Sequence, residues 1–205
     1  QLIAMMTILT LGPSIIILMT SFTRIIIVLG FVRTAMGTQS TPPNQVLTGV
    51  ALFLTMFVMA PTFTQIKDDA LVPLMNKRIT EEVALKRAEQ PIRNFMFAQM
   101  ADDSTEIELF MDMSGKPQPE TRQDVPTTTL IPAFVLSELK KAFQIGFLIF
   151  LPFLIIDIVI ASITMSMGMV MLPPVVISLP FKILLFVLVD GWTLVAESVV
   201  RGFNV

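Results

Sequence analysis

Charge is laid out along this chain in blocks, and that layout restricts the fold more than any motif does. Of 30 charged residues in 205, 20 fall between Lys67 and Asp124. This stretch holds 8 basic and 12 acidic side chains, net −4, while the other 10 charges are scattered and sum to +2. The chain therefore reads apolar, polar, apolar. From Leu2 to Ile66 only Arg24 and Arg33 are charged, and from Ala142 to Met171 only Asp157. Charged residues make up 15% of the whole, against about 25% in ordinary soluble domains. Hydrophobic residues make up 54%, and the mean hydropathy is +0.77. A water-soluble globule of this size lacks the interior to hide so much apolar surface. A membrane or a large oligomeric core has to cover it.

About 20 apolar residues cross a bilayer core, so each apolar block is long enough to fold back on itself. Proline marks where. Pro42 and Pro43 in the first block, and Pro173 and Pro174 in the second, each remove donors and disfavour helix in the residue before them. The expected fold class is all-α: two hydrophobic helical hairpins folded at Pro-Pro turns and joined by a polar segment of short helices. The expected divisions are 1–66, 67–129 and 130–205. Gly12-Pro13 starts or kinks the first helix. Asn44 is placed to cap the second, which runs to about Met59 with Pro61 helping to end it. In the polar segment Thr80 is the expected cap for a helix over Glu81–Glu89. Pro91 then opens another helix, in which Ile92, Phe95, Met96 and Gln99 share a face. Gly115, Pro117, Pro119 and Pro126 predict an irregular loop over 113–129. The third long helix starts near Ile131, bends at Pro152 and reaches Met171. The last covers Val175 to Arg201. Glu82–Lys86 and Glu197–Arg201 are i,i+4 pairs.

The composition removes whole classes of chemistry. The chain has no His and no Cys, so His- or Cys-ligated metals, thiol catalysis and Ser-His systems are excluded. No HExxH or GxxxxGK[ST] pattern occurs. Asp157 and Asp190 fail as an intramembrane aspartyl dyad, because Val189-Asp190-Gly191-Trp192 lacks the Gly-rich context such a dyad needs. No catalytic residue, metal or cofactor is assigned. Net charge is −2 without a basic stripe, which excludes nucleic acid as a partner. The chain starts at Gln1 rather than Met, and a removed signal peptide is one reading of that.

Two features remain. Arg24, Asp157, Lys182 and Asp190 are charges isolated in apolar surroundings. An ionised group at a bilayer centre costs about 2.5–3.5 kcal/mol on insertion scales, so each is expected to face a partner or water. Lys182 and Asp190 lie about 12 Å apart along one helix and cannot pair with each other. They need another helix or another subunit, unless they snorkel to a headgroup region. Glu138, Lys140 and Lys141 form a polar helix face at the start of the second apolar block. The second feature is Met165, Met167, Met169 and Met171, four of 15 methionines, alternating in sequence. In an extended segment this period puts all four on one side, and Gly168 with the following prolines favours a loop. Methionine is soft and adaptable. The four either seal a pore that yields to varied cargo or simply fill space. The acidic middle segment and Arg33 near the first turn mildly place that turn in the cytoplasm and the long segment outside, against which Lys140 and Lys141 stand.

The residues also resemble a known family. Ser21-Phe22-Thr23-Arg24-Ile25-Ile26-Ile27-Val28-Leu29, Arg33-Thr34-Ala35-Met36-Gly37-Thr38-Gln39 and Pro42-Pro43-Asn44-Gln45-Val46-Leu47 are similar to the FliP family of flagellar export-gate proteins. So, in order, are Phe134-Val135-Leu136-Ser137-Glu138-Leu139-Lys140, Gly146-Phe147, Leu151-Pro152-Phe153-Leu154-Ile155-Ile156-Asp157, Met165-Ser166-Met167-Gly168-Met169 and Leu179-Pro180-Phe181-Lys182. The likeness covers nearly all of both apolar blocks and less of the middle. It implies a cleaved signal peptide and a homo-oligomer of five copies, assembled with FliQ-type and FliR-type subunits and joined by an FlhB-type protein. It implies a place in the bacterial inner membrane within the flagellar basal body, against lipid and partly periplasmic. The assembly is lifted out of the bilayer plane, which removes the objection from Lys140 and Lys141. Exported unfolded flagellar proteins would pass through its centre in type III secretion. The family's methionine gasket maps to Met165, Met167, Met169 and Met171. Intersubunit or interhelix pairing becomes the expected use of Arg24, Glu138, Lys141, Asp157, Lys182 and Asp190. The competing reading is a subunit of an ion or solute transporter or channel, with Asp157 or Asp190 holding the coupling ion.

Overall fold

The computed structural model describes residues 2–38, 40–100, 105–115, 117–169 and 173–204. Among these residues the chain is helical, with no strand. The elements are α1 (Leu2–Leu18), α2 (Phe22–Ala35), α3 (Asn44–Val58), α4 (Ala60–Ile66), a π-helical turn (Lys67–Leu71), α5 (Val72–Met75) and α6 (Glu81–Gln99). They continue as α7 (Thr105–Met113), a 3₁₀ turn (Arg122–Asp124), α8 (Thr127–Ser166), α9 (Pro174–Leu188) and α10 (Gly191–Arg201). The all-α expectation holds. Among the described residues one helix, α8, is long and apolar enough to cross a membrane, and up to four spans result if each of three bent helix pairs counts as one.

Local chemistry explains where the boundaries differ from the sequence expectation. Pro13 lies inside α1, and the break falls later, at Met19–Ser21, where the Thr20 hydroxyl donates to Ile17 O at 2.6 Å. That bond offers the backbone a competitor to the helix ladder. Pro91 does not open a new helix. It is buried within α6, which is continuous over 19 residues. The proline sacrifices one ladder bond, and the packing of α6 on α4 and the π turn carries the helix through it. Asn44 does not spend its side chain on a cap, since its Oδ1 accepts from Arg33 Nη1 at 2.5 Å. The third long helix starts at Thr127 and continues unbroken past Pro132 and Pro152 to Ser166. The last expected helix is two: α9 and α10 bend by 64° at Asp190, whose φ is +50°. The Thr41–Pro42 bond in the first Pro-Pro turn is cis.

The described chain forms two compact units, each built from separated stretches. One holds 1–23, 55–139 and 203–205; the other holds 24–54 and 140–202. In the first, Phe95 of α6 lies edge-on to Phe134 of α8 at 6.1 Å and stacks with Phe203 at 6.4 Å. Fully buried Gln99 fixes the chain beyond Phe203: its Nε2 donates to Asn204 O at 2.8 Å, and Asn204 N donates back to Gln99 Oε1 at 3.1 Å. In the second unit Phe31 of α2 meets Phe143 of α8 edge-on at 5.2 Å. Gly146 permits that approach, because a Cβ there would sit 2.5 Å from Phe31 Cγ. Phe153, Phe186 and Trp192 join α8, α9 and α10, at 6.2 and 5.1 Å between successive rings.

Candidate functional site

The methionine segment is a helix end, not an extended strand. Met165 lies in the last turn of α8, and Gly168 takes φ +73°. Gly168 N donates to Met165 O at 3.0 Å, and Met169 N to Thr164 O at 3.0 Å. These two bonds are the paired closure of a Schellman motif, which needs a left-handed residue after the helix and favours glycine there. The period-two argument therefore does not apply. Met165 and Met167 are nonetheless both prominent, 67% and 69% exposed, and Met169 is half-buried. Met171 lies outside the described residues. Pro173 and Pro174 resume the chain, with Pro174 in the first turn of α9, where its missing N–H costs no ladder bond.

Behind this turn α8 and α9 share a polar contact. Lys182 Nζ donates to Asp157 Oδ2 at 2.5 Å. The Ser178 hydroxyl lies 2.6 Å from Asp157 Oδ1 and donates to it. Ser178 and Lys182 are one turn apart on α9 and face α8 together. The Lys182 side chain is 4% exposed and that of Asp157 27%. Both carboxylate oxygens are thus bonded, as a charge removed from water requires. The end of α2 lies close by: a Cβ at Gly37 would stand 3.9 Å from Lys182 Nζ and 3.4 Å from Leu179 Cδ1. Ser178 was missed in the sequence, although a serine one turn before a lone lysine in an apolar run was the available signal.

The other sequence-predicted charges are placed separately. Arg24 is buried, and its Nη1 donates to Gly202 O at 2.7 Å. That carbonyl belongs to the C-cap of α10, where a cation is favoured by the helix dipole. Glu138 is fully buried on α8, while Lys141 is half-exposed. Asp190 is exposed, left-handed and makes no capping bond. The Asp-Gly dipeptide at this bend is a turn signal that the apolar run around it obscured.

The polar segment holds a further charge that sequence reasoning passed over. Arg93 is buried; its Nη1 donates to Thr127 Oγ1 at 2.5 Å and its Nη2 to Val125 O at 2.8 Å. Thr127 in turn donates to Glu89. The Arg93 and Arg122 guanidinium carbons stand 5.6 and 5.7 Å from the centre of the Phe97 ring. Both arginines line an open groove of about 580 Å³ with Gln90, Asn94 and Gln123. Among the described residues no group of His, Cys, Asp or Glu is arranged to hold a metal ion.

Residues 5–199 match the FliP family. The flagellar biosynthetic protein FliP of Bacillus subtilis (strain 168) is 57% identical over 203 residues, spanning 99% of this chain and 91% of that protein. The protein of the same description from Caulobacter vibrioides is 53% identical, over 100% of this chain and 76% of the relative. That from Treponema pallidum (strain Nichols) is 52% identical, over 99% and 75%. With the match running through both apolar blocks and the polar segment between them, the chain belongs to the FliP family.

Proposed function

We propose that this chain is a pore-forming subunit of the flagellar type III export gate, conducting unfolded flagellar proteins across the bacterial inner membrane. It performs no covalent chemistry. Met165 and Met167, with Met169 and Met171 beside them, form its contribution to a deformable seal. The observation that carries this reading is the turn itself: two methionines held outward on a Schellman closure whose helices are tied together by Asp157, Ser178 and Lys182. Long unbranched side chains on a rigid support close a hole yet part for chains of varied shape. The apolar blocks 1–66 and 130–205 meet lipid and neighbouring subunits, and 67–129 lies on the periplasmic side. Five copies assemble with FliQ-type and FliR-type subunits, and an FlhB-type protein joins them. The large exposed apolar surface, including Phe53, Phe57, Phe143 and Phe147, supports an assembled, membrane-seated subunit.

The test is to replace Met165, Met167, Met169 and Met171 together by Ala in the assembled complex and measure small-ion leakage and export side by side. Leakage with assembly intact is the expected result. A tight, export-competent complex without these methionines refutes the seal. A transporter subunit behaves differently: Asp157→Asn then abolishes solute flux while the assembly survives.

A further inference from the structure

The structure accounts for the isolated charges of the apolar blocks unequally. Lys182 and Asp157 satisfy each other, and Arg24 is bonded to Gly202 O. Asp190 is the exception, since its side chain has no partner among the described residues. Its carboxylate lies in a band of exposed apolar residues: Val187, Leu188, Val189, Trp192 and Leu194. A bare carboxylate in such a band is costly wherever lipid or another subunit covers it.

The backbone alone does not explain this residue. A left-handed φ of +50° is taken most readily by Gly, with Asn and Asp next among residues with side chains. Asparagine or glycine would make the bend without a charge. Nor does the carboxylate serve α10, because it makes no N-cap bond. Neither the bend nor a cap of α10 accounts for the carboxylate.

We propose that Asp190 is an intersubunit contact that receives a Lys or Arg side chain from a different protein, rather than from a second copy of this chain. The choice between the two follows from counting bases. Arg33 is held by Asn44 and by the Pro42 carbonyl. Arg201 is paired with Glu197 at 2.7 Å. Arg24 and Lys182 are committed as above, and Lys140 and Lys141 have partners within their own chain. Every base in the apolar blocks is already engaged, so the apolar blocks of a second copy have no spare cation to set against a carboxylate in an apolar band. A separate subunit with one basic residue in an apolar helix fits both the charge and its setting.

This rests on the mixed assembly proposed above, and the experiment separates the two. The chain is co-expressed with its FliQ-type and FliR-type neighbours as wild type, Asp190→Asn and Asp190→Gly, and native mass is read after mild solubilisation. Both substitutions keep the left-handed bend, and an unchanged Trp192 emission verifies that the bend survives. Each is expected to lower the content of the smaller subunits by at least ~30-fold, as loss of a desolvated interfacial charge pair does, while the homo-oligomer stays the same. Asp190→Glu should restore part of it. Full mixed assembly in both variants overturns the proposal and leaves the export gate standing. Loss of the homo-oligomer itself also overturns it, by moving the carboxylate to a contact between copies. A wild-type chain that never gathers smaller subunits overturns both readings.

Discussion

Removing one charge from the α8–α9 contact tests whether that contact stiffens the hairpin or merely decorates it. Lys182→Met deletes the ammonium and keeps most of the apolar stem. Asp157 then retains the Ser178 hydroxyl but faces no counter-charge. Breaking a buried ion pair from one side costs about 3–5 kcal/mol. The Asp157 side chain is 27% exposed, so water recovers part of that, and ~2–3 kcal/mol is expected. For a chain of this length the loss lowers the unfolding midpoint by roughly 5–10 °C. The paired variant Lys182→Met/Asp157→Leu removes both charges. Ser178 then falls back on the Val175 carbonyl, already 3.1 Å away, and stability returns to within ~1 kcal/mol of wild type. Trp192, the one tryptophan in the chain, stands edge-on to Phe186 at 5.1 Å and reports the unfolding of α9 and α10 in mild detergent. A midpoint for Lys182→Met within 2 °C of wild type, on the scale of about 2–4 °C per kcal/mol, refutes the reasoning. So does a double variant that loses as much as the two singles added together.

Three other substitutions probe local supports within each compact unit. Gly168→Ala places a Cβ in a left-handed turn at a cost of about 1–2 kcal/mol; ion leakage through the assembled complex should rise, and Gly168→Asn should be milder. Gly146→Leu drives a side chain into Phe31 and should cost about 1–3 kcal/mol by overpacking, with the melting midpoint partly restored by adding Phe31→Ala. Arg93→Met leaves the Val125 carbonyl and the Thr127–Glu89 pair without their cation. A loss of ~2 kcal/mol should appear as faster limited proteolysis within 117–126.

Reading from residues to structure worked where one side chain decides the backbone. Pro42-Pro43 and Pro173-Pro174 interrupt helices because proline removes donors and restricts its predecessor, and both interruptions are present. Gly168 belongs to the same class, although its neighbours end a helix rather than form an extended run. The pattern failed where packing overruled the local rule. Pro91 and Pro152 stay inside helices, since a continuous apolar or half-buried face outweighs one lost bond. Asp190 broke a helix that the hydrophobic pattern alone runs straight through. The pairing of Lys182 with Asp157 joins two helices across a turn, so no spacing within one helix could reveal it. Arg93 sat in a segment where most charges are solvated, and nothing local marks it as the buried one.

These placements divide the apolar-block charges by task. Asp157 and Lys182 lie about two helical turns behind the methionine turn, where, in the proposed gate, a fixed α8–α9 spacing sets how far Met165 and Met167 reach. A seal made of flexible side chains works only if its base does not also flex. A hydrogen-bonded ion pair within one hairpin supplies that base without borrowing a neighbour, so the tip geometry is set before assembly. Asp190 sits at the other end of α9, where the backbone bends and the carboxylate has no partner among the described residues. A charge placed there makes no bond within the hairpin, and on the proposed reading its cost falls away once another chain arrives. On the proposed reading, one acid holds the gate in shape and the other waits for assembly. For that reason Asp157→Asn should weaken the folded hairpin in the isolated chain, whereas Asp190→Asn should leave it unaltered until the partner is present.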